Sequence, residues 1–306
     1  MIDISPDLTV TAPAKVNLHL AVKDRRNDGF HTLESLFIAV NFGDTLNFRL
    51  TKDKNTVKIC MEGLKLTVKK KDNIIFKAIN LFREKTGFDT GLIVNAEKRV
   101  PAGGGLGGGS SDAAATLLAL NKIAGFPLTK ESLLETGAVL GSDVPFFLHQ
   151  SPAAWVTGRG ECIKPLKAPQ MNLALVNPGF PSDTARAFHL LDKYREQRAE
   201  YKEQKTGQEI FDCLCSSASW FDGNLFSKFF NDFLDVFDES EKKTYDKIIS
   251  DLYELGAVYA NLSGAGSTCF GVFKEREAVQ KAADVLRECW GVVVDCRVQS
   301  TKIKEP

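Results

Sequence analysis

Between Pro101 and Ser111 the chain reads Pro101-Ala102-Gly103-Gly104-Gly105-Leu106-Gly107-Gly108-Gly109-Ser110-Ser111, with six glycines in seven positions. Such a run costs conformational entropy and adds no packing, so something must require a bare backbone there. It leads directly into Asp112-Ala113-Ala114-Ala115-Thr116-Leu117-Leu118-Ala119-Leu120, residues that favour helix, with Ser110 or Ser111 available as N-cap. A flexible linker would not join an alanine- and leucine-rich helix in this way. A glycine loop feeding a helix N-terminus instead makes an anion cradle. Its amides can point at phosphate oxygens, and the helix dipole adds positive potential.

The loop is not a Walker A loop, because no Gly-Lys-Ser/Thr follows the glycines. Gly103, Gly105 and Gly108 formally fit G-x-G-x-x-G, but a dinucleotide fold places its glycines immediately after a buried strand. Here Lys98-Arg99-Val100-Pro101 intervenes after Leu92-Ile93-Val94, and Pro127-Leu128-Thr129 opens a further helix where an acid-tipped strand should end.

The 306 residues suffice for two domains, and 43% hydrophobic with 25% charged residues is ordinary for a soluble globular chain. Basic and acidic residues balance at 39 each, so no global field draws the chain to nucleic acid or an anionic membrane. The seven cysteines are odd in number and scattered, and Cys213-Leu214-Cys215 lacks the spacing of a zinc or redox pair. Met1 to Ser5 does not read as a signal peptide. The expectation is therefore a cytoplasmic protein with reduced, structural thiols.

Along the chain, Val16, Leu18, Leu20 and Val22 alternate with Lys15, Asn17 and His19, which predicts a strand buried on one face with the polar three on the other. Arg25 to Gly29 reads as a polar turn, His31 to Phe42 as a buried strand, and 46–50 and 57–61 as strands around an Asp53-Lys54-Asn55 turn. Asp72 is the expected cap of a helix that carries Ile75, Ile79 and Phe82 and stops at Gly87. Thr129 caps the next, which stops at Gly141, and Ser142 is expected to cap a short helix with Pro145 in its first turn. Strands follow near 153–157, 162–166 and 173–176. Tyr194 to Gly207 reads as a charged, solvated helical excursion, and the 3–4 spacing from Leu225 to Phe237 predicts a core-facing helix. Helices near 245–255 and 277–289 and strands near 258–261, 268–273 and 292–298 complete a strand-rich first half and an α+β second half. The boundary falls within 158–170.

Three segments stand out together: Pro13-Ala14-Lys15-Val16-Asn17-Leu18, the loop from Pro101 to Ser111, and Leu262-Ser263-Gly264-Ala265-Gly266-Ser267. Their order and spacing resemble the three signature motifs of the GHMP kinase superfamily. Asp28-Gly29-Phe30-His31-Thr32-Leu33 and Gly141-Ser142-Asp143-Val144-Pro145 extend the likeness to the branch acting on a cytidine diphosphate-linked methylerythritol in non-mevalonate isoprenoid synthesis. The resemblance runs from about residue 9 to about residue 298.

The resemblance implies an α+β, two-domain GHMP kinase fold. Residues 1–164 would form a ribosomal protein S5 domain 2-like ATP-binding domain, and 165–306 a ferredoxin-like C-terminal domain. It implies transfer of the ATP γ-phosphoryl group to the substrate's 2-hydroxyl, with Asp143 as base and Lys15 beside it. Chemistry agrees, because an alcohol is a poor nucleophile at neutral pH and an ammonium keeps a nearby carboxylate ionised. ATP would lie on Pro101, Ala102, Gly103, Gly104, Gly105, Leu106, Gly107, Gly108, Gly109, Ser110 and Ser111, with Gly264 and Gly266 closing over the transferred group. Asn17, Phe30, His31, Thr184 and Phe188 would contact the substrate, Phe30 standing where the family commonly has tyrosine. Mg²⁺ is expected, with Ser111 as a ligand. No membrane or nucleic-acid partner is expected, and the family is monomeric or weakly dimeric. Alternatives are a homoserine- or mevalonate-type kinase of the same superfamily, which would not need Gly29-Phe30-His31, and a non-catalytic nucleotide-binding regulator, which would not need Asp143 and Lys15.

Overall fold

The computed structural model describes residues 8–64, 69–197, 207–216, 220–221 and 225–299. The chain separates into two compact units. One comprises Met1–Ala14, Gly43–Ala102 and Gly107–Gln150, and the other Lys15–Phe42, Gly103–Leu106 and Ser151–Pro306. The chain passes between them inside its first two strands and within the glycine loop.

Those strands are long: β1 (Leu8–Arg25) and β2 (His31–Thr51). The sequence pattern suggested two segments where β2 is one, because the alternation of Leu46, Phe48 and Leu50 resumes after a polar interruption that does not end the strand. In the first unit, Thr45 to Thr51 of β2 pair antiparallel with β4 (Gly91–Lys98), which pairs parallel with β3 (Val57–Gly63). Four helices belong to this unit: α1 (Ile74–Thr86), α2 (Gly108–Ile123), α3 (Lys130–Leu140) and α4 (Val144–Leu148). The α2 helix packs against the other three. Alanines along α2 are buried and small enough to admit its neighbours closely.

Thr129 Oγ1 accepts from Ser132 N and caps α3 as expected. The other expected caps are displaced. Asn73 Oδ1, not Asp72, accepts from Ile75 N to cap α1. Asp143, not Ser142, occupies the N-cap position of α4. Neither Ser110 nor Ser111 caps α2, because Gly107 takes that position with φ +69° and offers no side chain.

In the second unit, Leu33 to Ile38 of β2 pair antiparallel with β5 (Ala153–Gly158), which pairs with β6 (Cys162–Leu166). A four-stranded antiparallel sheet has the order β10-β7-β9-β8, from β7 (Asn172–Asn177), β8 (Tyr259–Leu262), β9 (Cys269–Phe273) and β10 (Val292–Arg297). Its helices are α5 (Thr184–Glu196), α6 (Gly207–Ser216), α7 (Glu239–Glu254) and α8 (Arg276–Cys289). Much of the charged stretch expected as an excursion, 198–206, lies outside the described residues.

The expected helix over 225–237 does not form. Only Phe226–Lys228 make a single 3₁₀ turn. Leu20 N donates to Phe230 O and Asp232 N to Leu20 O, so this backbone is committed to β1 and cannot also close helical turns. Phe229, Phe233, Val236 and Phe237 are nevertheless buried, as the aromatic spacing implied. All seven cysteines are free, and burial pushes the Cys269 and Cys296 thiols well up, away from reactivity.

Candidate active site

In the first unit the glycine loop ends by entering α2 through Gly107, without a side chain competing for the first-turn amides. Gly109 is exposed there, and Ser111 and Asp112 turn inward. Ser111 Oγ and Asp112 Oδ1, from consecutive residues, are buried without hydrogen-bond partners. The stretch before the loop is anchored by Asp44, whose Oδ1 accepts from Arg99 N at 2.5 Å and Val100 N at 2.8 Å. Lys98 Nζ bridges Asp44 and Asp112, and all three side chains are buried. One ion cluster thus ties the strand before the glycine loop to the helix after it. Burial raises the Asp112 carboxyl to about 7, against the pull of Lys98 and with Asp44 adding to the rise. Sequence reading missed this cluster, since its three residues meet only through strand pairing and helix docking. Asp143, half-buried at the start of α4, makes no capping hydrogen bond.

In the second unit, the tip of the glycine loop is laced to the second glycine turn. Ser267 N donates to Gly103 O, Thr268 N to Gly104 O, and Ser263 Oγ to Gly105 O at 2.9 Å. Gly264 and Gly266 both have positive φ within this turn. Asn231 Nδ2 braces it by donating to Leu262 O and Gly264 O. Lys15 N donates to Leu106 O, so the first signature segment joins the same assembly.

Lys15 Nζ donates to Asn17 Oδ1 and lies 4.7 Å from the centre of the Phe37 ring. Lys15, Asn17 and His19 share a side of β1, as the alternation implied, but that side is buried too. The Ser263 turn and Ser35 of β2 supply hydrogen bonds there that solvent would otherwise provide.

The structure brings His31 and Phe188 together, with ring centroids 5.1 Å apart and planes 16° from parallel. His31 Nε2 also meets Asp192 Oδ1 at 2.8 Å. Phe30 sits on an exposed turn with the Arg159 guanidinium 5.1 Å from its ring centre. Thr184, the first residue of α5, is exposed. Asp192 was absent from the sequence-based site, yet the signal existed, for it lies one helical turn beyond Phe188.

Comparison with known proteins fits this geometry. Residues 73–151 match the model for the GHMP kinases N terminal domain, and residues 222–292 that for GHMP kinases C terminal. The chain is 38% identical to the 4-diphosphocytidyl-2-C-methyl-D-erythritol kinase of Thermodesulfovibrio yellowstonii, over 96% of this chain and 100% of that one. A crystal structure of a 4-(cytidine 5'-diphospho)-2C-methyl-D-erythritol kinase matches with a TM-score of 0.76 at 28% identity, covering 96% of this chain and 100% of the other. A homoserine kinase from Cytophaga hutchinsonii matches with a TM-score of 0.69 at 18% identity, covering 98% and 96%, which shows the shared fold alone. The chain belongs to the GHMP kinases and, among them, to the 4-diphosphocytidyl-2-C-methyl-D-erythritol kinase family.

Proposed function

We propose that the protein transfers the γ-phosphoryl group of ATP to the 2-hydroxyl of 4-diphosphocytidyl-2-C-methyl-D-erythritol, a step of non-mevalonate isoprenoid synthesis. The observation that carries the substrate assignment is the His31–Phe188 stack beside the Gly29-Phe30-His31 turn. A parallel aromatic pair with a hydrogen-bonding ring suits a nucleobase, and a homoserine or mevalonate kinase has no use for one.

In this reading ATP phosphates lie on the amides from Pro101 to Ser111, and Gly264 and Gly266 close over the transferring group. Asp143 takes the hydroxyl proton, and Lys15 stabilises the charge that develops. Asn17 contacts the substrate and also holds Lys15, while Phe30, His31, Thr184 and Phe188 receive the cytidine. Mg²⁺, when bound, neutralises phosphate charge during transfer. The buried, unpartnered Ser111 Oγ fits it as a hard oxygen ligand. Among the described residues no three His, Cys, Asp or Glu side chains gather as a metal cage. The division into an ATP-binding domain over 1–164 and a C-terminal domain over 165–306, a cytoplasmic setting and a monomer or weak homodimer belong to the same proposal. So does the absence of nucleic-acid partners. Among the described residues no helix is long and apolar enough to cross a membrane.

The test is ATP consumption with Mg²⁺ on diphosphocytidyl-methylerythritol, homoserine and mevalonate in parallel. Turnover of the cytidyl substrate alone is expected. Turnover of only another alcohol would overturn the substrate assignment and keep the phosphate loop, and ATP binding without any turnover would favour the regulator.

A further inference from the structure

The hydroxyl of Ser263 lies where three chain segments of the second unit meet. It donates its one proton to Gly105 O at 2.9 Å, at the tip of the glycine loop, and accepts from Asn17 N of β1 at 3.3 Å. The other polar atoms of Ser263 close its own turn: its N–H donates to Thr268 O, and its carbonyl accepts from Gly266 N. Ser263 and Asn17 are buried, so water does not compete for these bonds.

The turn does not need that hydroxyl to keep its shape. Two backbone bonds close it, and Asn231 Nδ2 holds the carbonyls on either side of Ser263, those of Leu262 and Gly264. The Asn231 amide is itself oriented, since its Oδ1 accepts from Phe233 N. A serine that served only its own turn would spend its hydroxyl inside it, as serines do in local turns. Here the hydroxyl reaches outward from a braced turn to segments 158 and 246 residues away in sequence.

Both segments belong to the proposed reaction. Gly105 offers only backbone, and an added Cβ would lie 2.0 Å from Ser263 O, so its carbonyl is the handle by which the loop tip is held. Asn17 is the residue whose side chain holds Lys15 Nζ. Fixing the Asn17 amide therefore fixes the root of the group that aims the ammonium. Both protons of Ser263, on N and Oγ, are committed, and no donor is left for a phosphate oxygen.

We infer that Ser263 is a positioning residue for phosphoryl transfer: its hydroxyl sets the tip of the glycine loop and the Lys15–Asn17 segment of β1 in register with each other. The inference rests on the proposed reaction, in which the loop carries ATP and Lys15 stabilises the developing charge.

The experiment measures kcat on the cytidyl substrate and the dissociation constant of ATP. It compares the wild type with Ser263→Ala, Ser263→Cys, Ser263→Thr, Asn17→Ala and the Ser263→Ala, Asn17→Ala double variant. In Ser263→Ala kcat should fall about tenfold or more, with the ATP constant changed less than about threefold. Ser263→Cys nearly conserves the volume but has a weaker donor, so it should lose kcat too, and it carries the test if the alanine variant does not fold. Ser263→Thr keeps the hydroxyl and should recover most of the loss. If both residues act by aiming Lys15, the double variant should be within about threefold of Asn17→Ala alone, whereas independent roles would multiply. An unchanged kcat in the alanine and cysteine variants, a Ser263→Thr as slow as Ser263→Ala, or multiplied losses in the double variant would overturn the positioning role, while wild-type turnover keeps the proposed reaction. A wild type without turnover would overturn both.

Discussion

The Lys15 ammonium donates to Asn17 Oδ1 at 2.6 Å, and the same amide donates through Nδ2 to Ser35 Oγ at 3.0 Å. Ser35 in turn donates to His19 O, so the amide cannot rotate without breaking a buried chain of hydrogen bonds. Lys15 is aimed by its neighbour two residues along the same strand. Asn17→Ala should keep the charge and lose the aim, lowering kcat by about 100-fold with little change in the dissociation constant of ATP. Steady-state kinetics with calorimetric ATP titration checks this, and an unchanged kcat would remove Asn17 from the catalytic assembly.

Asp143 occupies an N-cap position without making the capping hydrogen bond. Its side chain is thus not what starts α4, and an isosteric amide should be tolerated by the fold. Asp143→Asn is expected to lower kcat by about 1,000-fold, within the range of a lost general base, at an almost unchanged thermal midpoint and ATP affinity. Retained turnover would assign proton removal elsewhere.

Two glycines of the loop answer to different constraints. At Gly105, φ is +72° and an added Cβ would lie 2.0 Å from Ser263 O, so Gly105→Ala should destabilise the protein by about 2 kcal/mol or more. At Gly109 the nearest atom to an added Cβ is Ile74 Cγ2 at 3.9 Å, an ordinary contact. Folding does not demand glycine there. Gly109→Ala should match or exceed wild-type stability, by about 0.5 kcal/mol, and yet weaken ATP roughly tenfold as the methyl meets the phosphates. Urea unfolding and ATP titration of both variants separate the two roles, and full ATP affinity in Gly109→Ala would move the phosphates away from α2.

This division explains what the sequence could and could not tell. Glycines, alternation and stop signals are local, so the loop, the α2 helix and most strands were legible. The stretch from Leu225 to Phe237 was misread because its aromatic spacing reports burial, whereas its backbone pairing with Leu20 is set by a strand two hundred residues away. Caps were misread by one position or more at Asn73, Gly107 and Asp143, where several polar or small residues competed for one role. Lys15, His31 and Phe188 are proposed as site residues from motif order. Asp44 and Lys98 were not legible, because nothing local marks residues that meet only through strand pairing and helix docking, whereas Asp192 is marked by its place one helical turn beyond Phe188.

Lys98 is the sole cation bonded to both Asp44 and Asp112 among the described residues, and removing it would leave two carboxylates buried together. Lys98→Met should therefore cost about 3 kcal/mol or more. Adding Asp112→Asn to that variant should restore part of the loss, since the buried acid left beside Asp44 must take up a proton on folding and the amide need not. Urea unfolding of the single and double variants reads both quantities. A double variant no more stable than Lys98→Met would show that packing, not charge, sets the penalty.

His19 is stacked on Trp155, with centroids 5.7 Å apart and planes 6° from parallel, and meets Phe230 edge-on at 4.5 Å. Its Nδ1 accepts from Phe230 N, and its buried Nε2 has no partner. Burial, with Lys23 adding to it, lowers the ring from 6.5 to about 3. The folded protein thus keeps His19 neutral in mild acid, while the unfolded chain takes up a proton below about pH 6.5. The contribution is fully present above pH 6.5 and is lost as pH falls toward 3, amounting to roughly 2 kcal/mol by pH 5. His19→Phe keeps an aromatic ring in the stack and removes the titration. The stability lost between pH 7.5 and pH 5 should accordingly be about 2 kcal/mol smaller in His19→Phe than in the wild type, since carboxylates titrate alike in both. Urea unfolding at the two pH values measures the difference, and parallel losses would mean that the ring is protonated as readily in the folded state as in the unfolded one.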